Sequence, residues 1–242
     1  MTWPLPNLEM ALQKARLNRF VDVPAGFSNL EGLWRPWRGL YHLTSGKVDQ
    51  LDDESGNARH MTQATALFRP TIGTGGELEH LVASGGQVMV VPEAFGVALG
   101  TNNFTIWVVF DTDDLSANEG GFATSLLGGI AGTIETSNRS LRRQGGGVCT
   151  DGAAALDTKE LWHIWRDSGT LHLEVNGVDK TLSTPTAAIG SPSGDGALLA
   201  LDTTLTFTLS GRVWEAGGTS DVLTPTERAA HVANADLLYG LG

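Results

Sequence analysis

The sequence predicts an all-β, antiparallel fold, and three observations predict it. Residues 161–178 read LWHIWRDSGTLHLEVNGV. Leu171, Leu173 and Val175 fall on one side of an extended chain, His172 and Glu174 on the other, the period-two mark of a half-buried strand. Asn176-Gly177 then supplies the positive-φ pair of a tight hairpin, and Asp179-Lys180-Thr181-Leu182 can return as the next strand. Upstream, Trp162 and Ile164 alternate toward the turn Asp167-Ser168-Gly169. The second observation is residues 103–110. Phe104, Ile106, Val108 and Phe110 share one face while Trp107 and Val109 take the other, so both faces are apolar, as in a central strand. The third is the glycine content, 31 in 242 residues, which suits many tight turns.

The other elements follow in order. Residues 7–20 carry a helical pattern, with Leu8, Ala11, Leu12 and Ala15 on one stripe and Gln13, Lys14, Arg16 and Arg19 away from it. Asn7 can cap it, but Met10 stands where a capping box wants Glu or Gln. So short a helix needs a surface to dock on, either its own domain or a neighbouring subunit. Residues 21–40, with Pro24, Gly26, Gly32, Pro36 and Gly39, read as a connection or short strands. Trp34 and Trp37 there are core or lid residues. Short strands are expected at 47–51, 88–91, 122–127, 132–135, 198–201, 205–209 and 211–215. The basic run 138–143 reads as a solvated loop. A helix closes the chain: Thr224 caps it, Pro225 opens it, Glu227 completes a T-x-x-E box, and Gly240 stops it after Tyr239.

Composition narrows the function. Charged residues make up 18%, below the roughly 25% of an ordinary soluble chain, so Thr, Ser, Asn and Gly must supply surface polarity. A net charge of −11 argues against nucleic-acid binding, which needs cations against phosphate. The single cysteine, Cys149, allows no intrachain disulfide. No run approaches the ~18 apolar residues of a membrane span. The N-terminal segment lacks the charged-then-apolar order of a secretory signal, so synthesis in a cytoplasm without export by that route is expected.

Four separated segments resemble the concanavalin A-like lectin/glucanase family, in particular its laminin-G-like jelly rolls. SGKVDQLDDESGNARHMTQATALFRP (45–70) is similar to that family's opening strand, D-x-S-G-N turn and Arg-Pro. NFTIWVVFDTD (103–113) resembles its central strand, and LWHIWRDSGTLHLEVNGV its W-H-x … L-x-L-x-V-N-G hairpin. SGRVWEAGGTSDVLTPTERAAHVANADLLYGLG (210–242) resembles its closing strand and L-T-x-x-E helix. The resemblance implies a two-sheet antiparallel jelly-roll sandwich over 31–242. A short N-terminal helical arm over 1–30 precedes it, and the C-terminal helix ends it. It does not imply one function, because this fold carries binding modules, adhesion modules, hydrolases and virion appendages.

Several residues are candidates for chemistry. Trp107, Trp165 and Trp214 can stack on sugars, although a strand Trp more often belongs to a core. Asp111, Asp113 and Asp114 offer oxygens for calcium, as do Asp52, Asp53 and Asn57; such clusters are also ordinary turn formers. A jelly-roll hydrolase needs two carboxylates in register. The E-x-D-x-x-E string of the resembling hydrolases is absent, Asp111-Thr112-Asp113 is its nearest approach, and Glu174 stands alone on its strand. His163 and His172 lack further zinc ligands in the surrounding sequence. Cys149 has no evident His partner and reads as inert. The Gly-rich runs at 73–76 and 145–147 lack the Lys-Ser/Thr of a phosphate loop.

These readings converge on a non-enzymatic structural protein of a phage virion, a head decoration, head fibre or tail component. Its expected partners are other capsid or tail proteins, further copies of itself as a homo-oligomer, and host surface glycan. No nucleic acid, no membrane and no cofactor beyond a candidate calcium are expected. A bacterial carbohydrate-binding module is the alternative, and a glycoside hydrolase the third reading.

Overall fold

The computed structural model describes residues 22–74, 78–116, 118–125, 129–135, 138–143, 148–180, 190–204 and 207–242. The helix expected over 7–20 lies outside them, as do Thr181, Leu182, Leu205 and Thr206. The chain runs β1 (Leu30–Trp34), β2 (Tyr41–Thr44), β3 (Lys47–Leu51), β4 (Met61–Thr62), β5 (Thr71–Gly73), β6 (His80–Ser84) and β7 (Met89–Val91). After helix α1 (Glu93–Leu99) come β8 (Phe104–Thr112), β9 (Glu119–Ala123), β10 (Ile130–Glu135), β11 (Asn138–Arg143) and β12 (Val148–Ala153). Then follow β13 (Glu160–Asp167), β14 (Thr170–Val175), β15 (Val178–Lys180), β16 (Gly196–Leu198), β17 (Ser210–Thr219) and helix α2 (Pro225–Tyr239).

These strands form two antiparallel sheets packed as a sandwich. Sheet I has the order β15-β14-β13-β8-β17-β6-β5, with β1 also paired to β17. Sheet II runs β12-β11-β10-β9-β16-β7-β4-β3-β2. Between them lies the main core, where Trp34, Ile106, Val108, Phe110, Trp162, Leu171 and Leu173 from sheet I meet Met61, Met89, Phe122, Ile134 and Leu141 from sheet II. The central position expected for 103–110 is where β8 sits, all nine residues buried between β13 and β17. The hairpin is also in register as expected, from Trp162 opposite Val175 to Asp167 opposite Thr170. Its turns place Ser168-Gly169 and Asn176-Gly177 at positive φ.

A second core lies on the outer face of sheet I. Here α2 delivers Ala235, Leu238 and Tyr239 onto Trp107, Val109, Leu161 and Trp214. The capping box that starts α2 is complete: Glu227 N donates to Thr224 Oγ1 at 3.3 Å, and Thr224 N donates to Glu227 Oε2 at 2.7 Å. Gly240 ends the helix at φ 67°. This layer corrects one expectation. The polar face of β13 and β14 is covered in part by α2, since His163 is 0% and Glu174 8% exposed, while His172 is half-buried.

Two other readings are revised. Residues 138–143 form β11, not a loop, because Arg139 pairs with Glu160 and Arg142 with Glu135 across the strands. Leu199 turns to φ 73°, which ends β16 at Leu198 rather than at 201. Helix α1 was not foreseen: Pro92 gives it no side-chain cap, and only Phe95, Gly96 and Leu99 are buried on it. Of the segment 1–30 expected as an arm, residues 22–30 are described, and they pack on the sandwich. Phe27 joins the second core, and Asp22 bonds the buried Arg35 at 2.6 Å.

One close approach sets a requirement for glycine. Gly217 stands opposite Trp107 in the β8–β17 ladder, and a Cβ there would lie 2.4 Å from Trp107 Cζ2. Gly217→Ala is expected to cost about 1–3 kcal/mol in urea unfolding. Gly26→Ala, where a Cβ meets nothing within 4 Å, should stay within roughly 0.5 kcal/mol.

Candidate functional site

The three Trp residues proposed as sugar platforms are internal. Trp107 is 0%, Trp165 7% and Trp214 1% exposed. Trp107 donates Nε1–H to Glu215 Oε1 at 2.9 Å. Trp165 is covered on its ring faces, stacked on His172 at 4.8 Å and topped by the Arg228 guanidinium 4.0 Å from its centroid. Trp214 packs against His80 and lies 4.8 Å from Lys159 Nζ. Buried rings cannot receive a sugar, so these residues belong to the fold.

The aspartates expected to hold calcium are not brought together. Asp111 is buried and paired with Arg212, whose Nε lies 3.1 Å from Oδ1. Asp114 accepts the Ser116 amide at 2.6 Å, and Asp113 points to solvent. The second set is spent on its own turn: Asp53 accepts the amides of Leu33, Ser55 and Arg59. Among the described residues, no group of three or more His, Cys, Asp or Glu is placed to hold a metal ion. Glu119, which sequence reasoning passed over, has its carboxyl pushed up to about 7 by burial, with Asp113 and Asp114 adding to the rise. A raised carboxyl suits a glycosidase acid, but Glu119 is 2% exposed and accepts the Thr112 hydroxyl at 2.6 Å.

Under α2 lies a continuous polar chain. Glu174 Oε1 is 3.0 Å from His163 Nδ1, His163 Nε2 is 2.9 Å from His231 Nδ1, and His231 Nε2 is 2.9 Å from Glu215 Oε1. Tyr239 donates its hydroxyl to Glu215 Oε2 at 2.8 Å, and Trp37 donates Nε1–H to that hydroxyl at 2.9 Å. Arg228 Nε donates to Glu174 Oε2 at 3.2 Å. Burial favours neutral carboxyls, yet Glu174 and Glu215 are held below their ordinary range by these donors, His163 and Arg228 for one, His231 and Arg35 for the other. With both ionised, His163 Nδ1 and His231 Nε2 each donate to a carboxylate, and one proton is shared between His163 Nε2 and His231 Nδ1. Both imidazoles are shut off from solvent, and the chain fastens the helix to the sheet.

One accessible candidate is a polar cleft of about 160 Å³ at a corner of the sandwich, lined by Lys47, Arg69, Thr71, Val82, Ser84 and Gln87. Strand β3 of sheet II supplies Lys47, and β5 and β6 of sheet I supply Thr71, Val82 and Ser84. A backbone bond from Val48 N to Pro70 O, 2.9 Å, joins the two sheets beside it. Arg69 is fixed by Nε on Gln63 O at 2.7 Å and Nη2 on Ala64 O at 2.8 Å. Gln87 is fixed by Oε1, which accepts the Ser84 amide at 2.9 Å. Asp49 is the nearby acid, and the Thr44 hydroxyl, aided by the Arg69 charge, holds its carboxyl below the usual range. The basic residues here lie 22 positions apart in sequence (47 and 69), too far for any local pattern to join them.

No protein-family model and no curated protein sequence matches the chain. Solved structures do. Trypanosoma rangeli sialidase in complex with 2,3-difluoro-KDN matches at TM-score 0.64 and 12% identity, over 96% of this chain and 39% of that one. The same sialidase as its covalent intermediate with 2,3-difluorosialic acid matches at 0.64 and 13%, over the same shares. In complex with the inhibitor DANA it matches at 0.61 and 14%, over 95% of this chain and 37% of that one. The chain thus spans about two fifths of the length of these sialidases. At such identity the likeness establishes the fold alone, a two-sheet antiparallel β-sandwich. The expectation of a non-enzymatic chain is corrected here, because the sialidase matched along 96% of this sequence is an enzyme.

The buried imidazoles set a pH dependence. Burial, reinforced by the His231 charge, brings His163 down from 6.5 to about 4. The unfolded chain takes up this proton below 6.5 while the fold refuses it until about 4, so this stability is present above 6.5 and lost as pH falls through that window. Urea unfolding should show the gap between wild type and His163→Gln shrinking from pH 7 to pH 4. A gap independent of pH would contradict this account.

Proposed function

We propose that this sandwich is a carbohydrate-binding unit. The observation that carries the reading is the shared fold, over 96% of this chain, with sialidases solved in complex with sialic-acid analogues. The open polar cleft supports it, since a sugar site needs fixed donors in a concavity, and the acidic composition leaves glycans a better class of ligand than nucleic acid. Carriage on a phage particle is a second reading, supported by the acidic, Gly-rich composition, with other virion proteins as its partners.

The test is a glycan array followed by titration calorimetry with 3′-sialyllactose and lactose. Saturable binding of at least one glycan is expected. Absence of binding across the array at millimolar sugar would remove the reading. Free sialic acid released from 3′-sialyllactose, followed over the same incubation, reports whether the chain also turns substrate over.

A further inference from the structure

We propose that the corner cleft is the glycan site and that its ligand is a carboxylate-bearing sugar, an inference that rests on the carbohydrate-binding reading. The argument starts from charge. The protein carries −11 overall, yet two of its cations line one small concavity, with Asp49 nearby, and neither forms an ion pair with another described residue. Lys47 Nζ makes a single long contact, 3.5 Å to Ala66 O, and keeps further N–H groups to donate. Arg69 spends Nε and Nη2 on the backbone of residues 63 and 64, which holds the guanidinium rigid and leaves Nη1 to donate. A fixed cation loses little freedom when it binds an anion, and a charge-assisted bond is the strongest such a cleft can offer.

The rest of the lining suits a sugar rather than a bare anion. No described residue bonds the hydroxyls of Thr71 and Ser84 or the amide nitrogen of Gln87, and hydroxyls and amides complement sugar hydroxyls. Val82, half-buried, adds an apolar wall for the C–H face of a ring. The volume, about 160 Å³, is below the ~300 Å³ of a drug-sized site and takes one ring, not a chain. The cations would bind the carboxylate, and the hydroxyl and amide groups the ring substituents.

Glucuronate and glucose separate these contributions, because they differ only in a carboxylate at C6. In titrations followed by backbone amide NMR, glucuronate should shift Thr71, Ser84 and Gln87 and bind about tenfold or more tightly than glucose. Lys47→Gln should abolish most of that preference, and Arg69→Lys, which keeps charge but not the fixed geometry, should weaken it. Lys47 makes one long bond, to Ala66 O, so urea unfolding of Lys47→Gln alongside the titration checks that the fold is kept. If some glycan binds but these variants leave its affinity unchanged, or glucose binds as well as glucuronate, the cleft assignment fails and the carbohydrate-binding reading stands. If no glycan binds at all, that reading fails first. If inorganic sulfate displaces glucuronate at equal concentration, the cleft is an anion site and the sugar assignment is overturned.

Discussion

The buried imidazole of His231, hydrogen-bonded at both ring nitrogens, is the constraint on which the outer layer depends. It ties a helix at the end of the chain to the middle of a sheet, through Glu215 on β17 and His163 on β13. Glu215 is 1% exposed and takes donors from Trp107, His231 and Tyr239, so its charge is satisfied in three directions. A buried carboxylate stripped of such partners costs several kcal/mol, whereas a complete network costs far less. The chain is therefore all-or-none in character. Removing one member leaves another charged and dry, which fixes the position of α2 more sharply than its apolar stripe alone.

That layer explains why sheet I is buried on both sides, while the cleft opens where its cover ends. Strands β13, β8 and β17 lie beneath α2, and β5 and β6 sit at the sheet edge beyond it. There Val82 and Ser84 alternate with Leu81 and Ala83, so one face feeds the main core and the other lines the cleft. Arg35 performs for the start of the described chain what His231 performs for the end. It is 1% exposed and bridges Asp22 and Glu54, pinning residues 22–30 beside the same sheet.

Much of this was legible in the sequence where the signal is local. Asn176-Gly177, the alternation of 171–175 and the Thr224–Glu227 box each describe their own backbone, and each stands as read. What was missed depends on residues far apart. His163 and His231 are 68 positions apart, and only the fold shows that the polar face of a strand meets the polar stripe of a helix. The same holds for 138–143, where arginines suggested water but found Glu160 and Glu135. Helix α1 lacked a capping signal, and it is held by packing instead: Gly96 lies so close to Thr124 O that a Cβ would come within 2.6 Å. The tryptophans misled in the opposite sense, because ring size suggests a platform as readily as a core.

The Val48–Pro70 bond has a mechanical consequence. Lys47 begins a strand of one sheet, while Thr71, Val82 and Ser84 belong to the other. The cleft is therefore a seam, and its width measures how the two sheets are registered against each other. A small slide between the layers would reshape this corner and strain the Val48–Pro70 bond that spans it. A molecule lodged across the seam would act as a rivet, resisting shear between layers that no disulfide holds.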